Sequence, residues 1–198
     1  PQFSLPFLLD LLARKDLAQD LRQEAITGLG LSGDSSAILP LLDEIDRPGG
    51  EQSWQSRWLA IWGVVNILVR ENPDTEGSFD DGPRVRLVAR KLKSKVNDSR
   101  REISWTTAYY LARYFGDDSG EIILQDMLSW DFLGEQLGDN DNALTSEEQQ
   151  RWMCQALEGL YSLRGGGLKD VLEEKKSDRN MRVRNAAMRL LGKLEKKT

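Results

Sequence analysis

The chain has 198 residues, of which 39% are hydrophobic and 30% charged; its net charge is −5 and its mean hydropathy −0.51. That length holds one ordinary domain or a small array of repeats, and the modest apolar content suits stacked amphipathic helices better than a compact globule. One cysteine, Cys154, excludes an intramolecular disulfide framework, and the absence of histidine excludes Ser-His-Asp and Cys-His catalysis, His-ligated zinc or iron and a histidine pH switch.

The opening "SLPFLLDLLARK" (4–15) is predicted to be a helix. It has no basic leader or cleavage signature, so it does not read as a signal peptide. It also starts without Met inside a helical pattern, so a longer parent chain is expected. First helices of successive pairs are predicted near 19–31, 53–71, 99–115, 146–163 and 180–196. Second helices are predicted near 35–46, 83–97, 119–130 and 167–176, and no strand is expected. Gly33-Asp34 is read as the junction of the first pair, with a left-handed glycine C-cap and an aspartate N-cap. "FGDDSG" (115–120) is read the same way. No apolar run is long enough to span a membrane, and a lone cysteine fits a reducing, cytoplasmic setting.

A repeat underlies these helices. Asp16 is followed by Arg22, Ala25, Leu29 and Gly30, and Asp178 by Arg184, Ala187, Leu191 and Gly192 at the same offsets. Between them run three looser copies. Glu51 leads to Arg57, Ala60, Val64 and Val65; Asp98 to Ser104, Thr107, Leu111 and Ala112; Thr145 to Arg151, Cys154, Glu158 and Gly159. The arginine positions 22, 57, 104, 151 and 184 are 35, 47, 47 and 33 residues apart, the period of stacked helical repeats. The acid or threonine is placed to cap a helix start, the small residue admits a neighbouring helix, and the glycine loosens a last turn or admits close backbone contact.

"RQEAITGLGLSGDSSAILPLL" and "DRNMRVRNAAMRLLGKL" resemble HEAT-type repeats of the phycobilisome-lyase-like class. The resemblance implies an all-α solenoid of about five repeats across the whole chain as one domain. With no catalytic motif in the chain and its charge segregated, the function expected is a non-catalytic scaffold for another protein. The resemblance leaves open a bilin lyase or lyase-like chaperone subunit acting on phycobiliproteins, without identifying a chromophore site. The related deoxyhypusine hydroxylases use His-Glu iron ligands, which a chain without histidine does not supply.

Function is sought where the chain departs from the repeat. Residues 83–101 carry eight basic residues and one acid, whereas 114–150 carry ten acids and no base. The basic stretch reads as a solvated face, as a site for an acidic protein partner, or as a weaker candidate for nucleic acid. The extension 127–149, with Trp130, Phe132, Leu133 and Leu137, folds back over its own repeat or docks on a partner. The loop 72–82 lacks the ligand spacing of a calcium loop, and "RGGGLKD" (164–170) lacks that of a phosphate loop. Trp54, Trp58 and Trp62 line one helix face, as core or in part as interface anchors. Cys154, in the small-residue position, is expected to be a buried thiol. The contact candidates are Arg84, Arg86, Arg90, Lys91, Lys93 and Lys95, with Trp54 and Trp58 as anchors. No cofactor, metal, catalytic residue or membrane contact is expected.

Overall fold

A computed structural model describes residues 4–48, 53–73, 78–136 and 143–196. The described residues are all-helical, without a β-strand. The chain divides into two compact units, 1–107 and 108–198.

The first unit holds α1 (Leu5–Ala13), α2 (Gln19–Ser32), a 3-10 turn (Ser35–Ala37), α3 (Ile38–Ile45), α4 (Trp54–Glu71), α5 (Pro83–Lys93) and the start of α6 (Arg101–Tyr110). Its core includes the buried Ala25, Ile26 and Leu29 of α2, Leu41 and Ile45 of α3, and Ala60, Ile61 and Val64 of α4, with α2 and α3 each packed against α4. Gly30 and Gly63 permit the close approach of α2 and α4. A Cβ at Gly30 would lie 2.9 Å from the Cα of Gly63 and 2.6 Å from Trp62 Cζ3, so α2 and α4 cross backbone to backbone there.

The arginine of the first copy is a core residue. Arg22 is 1% exposed and donates to the carbonyl of Leu12 at 3.1 Å, to that of Arg14, and to Glu44 Oε1 at 2.7 Å. It thereby ties the turn after α1 to α3. Ser104, at the same position of the third copy, donates to the carbonyl of Val96 at 2.5 Å.

The second unit holds the rest of α6, a π-helical turn (Leu111–Phe115), α7 (Glu121–Asp126), α8 (Trp130–Glu135), α9 (Ser146–Arg164), a 3-10 turn (Gly165–Leu168), α10 (Lys169–Lys175) and α11 (Met181–Glu195). Its core includes Leu111, Leu124, Met153, Leu157, Leu172, Val183 and Ala187. Arg184 donates to the carbonyls of Asp178 at 2.8 Å and Arg179 at 3.2 Å, so it also pins the turn ahead of its own helix. The 127–149 extension is helical over α8: Ser129 caps it by accepting from Phe132 N at 3.2 Å, and Leu133 is buried. Leu137 lies outside the described residues.

The two Gly-Asp junctions differ. Gly116 is left-handed, with φ 61° and ψ 23°. Gly33 is not: φ −68° and ψ 159° carry the chain out of α2 in extended form, contrary to the sequence expectation. The carbonyls at the end of α2 are met instead by Arg70, which donates to Gly30 O at 2.6 Å and Gly33 O at 2.7 Å. Glycine is still required at 33, because a Cβ would collide with the carbonyl oxygen of Leu29. The aspartates behave alike: Asp34 Oδ1 accepts from Ser36 N at 2.8 Å, and Asp117 Oδ1 from Ser119 N at 2.9 Å.

The leading acids of the copies are also used in more than one way. Among the described residues, Thr145 alone forms a capping box, with Glu148. Asp98 accepts from Arg100 N at 3.0 Å and Asp178 from Asn180 N at 2.8 Å, each closing a two-residue turn just before its helix. Their second oxygens take Arg57 at 2.8 Å and the indole of Trp130 at 3.0 Å. Asp16 is exposed and does not cap α2, which starts after Ala18. Glu51 lies outside the described residues.

Candidate functional site

The basic stretch forms α5 and the turn after it. Pro83 occupies the first turn, where its missing N–H costs nothing, and Arg90, Lys91 and Lys93 sit in the last turn, where cations complement the helix dipole. Val88, Leu92 and Val96 recur every four residues and are buried, which turns Arg86, Leu87, Arg90 and Lys93 outward.

Much of the charge is compensated inside the first unit. Arg84 pairs with Glu71 at 2.9 Å and Arg86 with Asp81 at 3.1 Å. Lys91 and Lys95 both bind Asp46, Lys95 at 2.9 Å. The hydrogen bond from Lys91, then that from Lys95, holds the Asp46 carboxyl below the usual carboxylate range. Two cations on one carboxylate leave that corner positive. Arg90 makes no ion pair with a described residue. It stands one turn from Leu87, which is 38% exposed.

The tryptophans fill spaces between helices. All three are half-buried. Trp54 lies under the guanidinium of Arg100, 5.9 Å from the ring centre. Trp58 donates its indole N–H to Thr106 Oγ1 at 2.9 Å. Trp62 covers Gly30. The cation over Trp54 is thus Arg100 and not one of the six basic residues of 84–95.

A second cluster lies in the second unit, and its one signal in the sequence is the charge of Glu158. Glu158 stands at a position that is apolar in the other copies, yet its carboxylate accepts from the hydroxyl of Tyr109 at 3.1 Å and binds Arg189. The rings of Tyr109, Tyr110 and Tyr114 adjoin with centres 5.4–6.5 Å apart, and Arg113 lies 5.1 Å over Tyr114. Burial raises the pKa of Tyr109 and Tyr110, with Glu158 adding to the rise for Tyr109. The π turn adjoins this cluster; such turns recur at functional sites. Cys154, one turn before Glu158, is half-buried rather than fully buried, and burial followed by the Glu158 charge raises its thiol pKa. A groove of about 700 Å³ near α8 and α10 is lined by Gln125, Trp130, Asp131, Lys175 and Arg179, among others. Arg179 stacks 4.9 Å over Trp130.

Among the described residues no helix is long and apolar enough to cross a membrane, and no group of three or more His, Cys, Asp or Glu is placed to hold a metal ion. The chain matches no protein-family model, no curated protein and no solved structure.

Proposed function

We propose that this chain is a helical-repeat scaffold of the phycobilisome-lyase-like HEAT type that binds another protein without catalysis, and that α5 supplies a contact surface for an acidic segment of that partner. The repeat reading is supported by recurring local chemistry at matched positions. Arg22, Ser104 and Arg184 all tie carbonyls of the turn before their own helix, and Asp98 and Asp178 close the same two-residue turn. In this reading the paired helices stack as a solenoid with the second helices lining one face.

The observation that carries the binding surface is Arg90 beside exposed Leu87. While Arg84, Arg86, Lys91 and Lys95 are matched with acids of their own unit, Arg90 has no ion-pair partner among the described residues and adjoins an apolar side chain. An apolar anchor ringed by cations suits an acidic peptide carrying a hydrophobic residue.

The test is titration of the protein captured by this chain from its native lysate, comparing wild type with R86E/R90E/K93E. The expected result is a loss of affinity of about tenfold or more, equivalent to about 1.4 kcal/mol, with modest salt dependence. Unchanged affinity would overturn the site. Capture of nucleic acid, with affinity falling steeply as salt rises, would overturn the class of partner.

A further inference from the structure

In the second unit α7 packs on α9 and α10 packs on α11, and the groove of about 700 Å³ opens between them. Val171, Glu174 and Lys175 border it from α10, at the three- and four-residue spacing of a single helix face. Leu128 and Trp130 border it from the end of α7 and the start of α8. Trp130 is fixed in place. Asp178 accepts its indole N–H at 3.0 Å, and the guanidinium of Arg179 lies 4.9 Å over its ring.

Lys175 lacks a close counter-charge. Its side chain is 12% exposed, yet among the described residues its ion pair is with Glu174 at 3.5 Å. A charged hydrogen bond is shorter, about 2.7–2.9 Å. Glu174 is 73% exposed, so water screens most of that interaction. Asp178 is already committed: its Oδ1 accepts from Asn180 N at 2.8 Å, and its Oδ2 holds Trp130. Arg179 makes no ion pair with a described residue. Two cations four residues apart thus border the half-buried Leu128, Trp130 and Val171, and among the described residues neither is hydrogen-bonded to a carboxylate. A largely buried ammonium without a close anion is costly, and an anion that reaches it relieves that cost.

From Lys175 and its surroundings we infer that this groove binds an organic monocarboxylate with an apolar body, either a free acid or the C-terminal residue of a peptide. The carboxylate meets Lys175 and Arg179 through charge-assisted hydrogen bonds. The apolar body lies on Leu128, Trp130 and Val171. The volume falls within the range of small-ligand sites, about 300–1,000 Å³. Asp131 and Glu174 stand exposed on the rim and repel further negative charge, so a monoanion is favoured over phosphate. The inference rests neither on the repeat register nor on the α5 surface.

The probes are 3-phenylpropionate and the tripeptide Gly-Gly-Phe, titrated into the full chain and read by the indole N–H signal of Trp130, assigned with Trp130→Phe. The amide of the first probe and inorganic phosphate are the controls. At least one of the two acids should shift the signal to saturation, and the controls should not. The acid that binds more tightly identifies the source of the carboxylate; a response to neither overturns the inference. Lys175→Met keeps the apolar stem and removes a charge without a close partner. That variant should keep its thermal midpoint and bind the acid about tenfold or more weakly, and Arg179→Gln should weaken binding as well. Lys176→Gln, at the exposed neighbour paired with Glu173, should bind as wild type. Equal shifts by acid and amide, tighter binding of phosphate, or wild-type binding by both Lys175→Met and Arg179→Gln would overturn the inference. R86E/R90E/K93E should leave the titration unchanged, so failure here and failure of the α5 surface are read separately.

Discussion

Replacing Arg22 with methionine keeps the length of the side chain and removes its charge from a site that is 1% exposed. Three acceptors then lose a donor: Glu44 Oε1 and the carbonyls of Leu12 and Arg14. Glu44 is itself buried, and its Oε2 already has no partner. Breaking a buried ion pair from one side costs about 3–5 kcal/mol, because the remaining charge stays desolvated. Arg47 still reaches Glu44 at 3.1 Å from a partly exposed position, which places the expected loss near the lower bound, about 3 kcal/mol. For a unit of this size each kcal/mol moves a thermal midpoint by about 4–8 °C, so the first-unit transition should fall by about 12–24 °C. Urea unfolding followed by tryptophan fluorescence reads that unit through Trp54, Trp58, Trp62 and Trp105. The double variant R22M/E44L should recover most of the loss, since replacing both partners by apolar groups removes the stranded charge. A loss under about 1 kcal/mol for R22M, or a double variant no more stable than R22M, would refute the reasoning from buried charge.

Three further outcomes are expected. Gly30→Ala and Gly192→Ala should have opposite signs in thermal unfolding: the first loses about 1–3 kcal/mol by pushing α4 away, and the second gains up to about 1 kcal/mol from helix propensity with nothing to displace. Asp46 is held ionised in the folded chain, so its contribution is present above the unfolded carboxyl value of about 3.9 and is lost as pH falls through the lower folded value. Its side chain is half exposed, so Asp46→Asn should cost no more than about 1 kcal/mol at neutral pH, and that difference should shrink in high salt and vanish in acid. Cys154, with its thiol pKa raised, should alkylate with iodoacetamide at neutral pH more slowly than free cysteine, as followed by intact mass; labelling as fast as free cysteine would contradict its environment.

The helices were legible because their signals are local. Pro83 at the start of α5, Thr145 with Glu148 ahead of α9, and the Gly-Asp pairs at 33–34 and 116–117 all act within a few residues, and the first helices end within two residues of expectation when α6 is counted through its π turn. What was misread acts at a distance. The exit from α2 is stabilised by Arg70, 37 residues beyond Gly33, so a left-handed glycine cap was not needed. The helix α8, by contrast, is the extra helical turn expected within 127–149; Ser129 caps its start and Leu133 is buried.

Charge was legible as composition but not as partnership. Residues 83–101 show eight cations, and nothing in their order says that Lys91 and Lys95 would share Asp46 or that Arg84 would meet Glu71. Which cation has an acid beside it is decided by chain folding: among the described residues Arg84, Arg86, Lys91 and Lys95 have one, and Arg90 has none. The same logic applies to Glu158. In the repeat it looks like decay, a charge where Leu29, Val64, Leu111 and Leu191 are buried. In the folded unit it is matched on both oxygens, by a buried tyrosine hydroxyl and by Arg189. Restoring leucine there would leave that hydroxyl without its acceptor, at a cost of about 1–3 kcal/mol against the gain of a further buried apolar side chain. The charge is therefore compensated, and the compensating residues lie 49 and 31 positions away, where no local sequence pattern reaches.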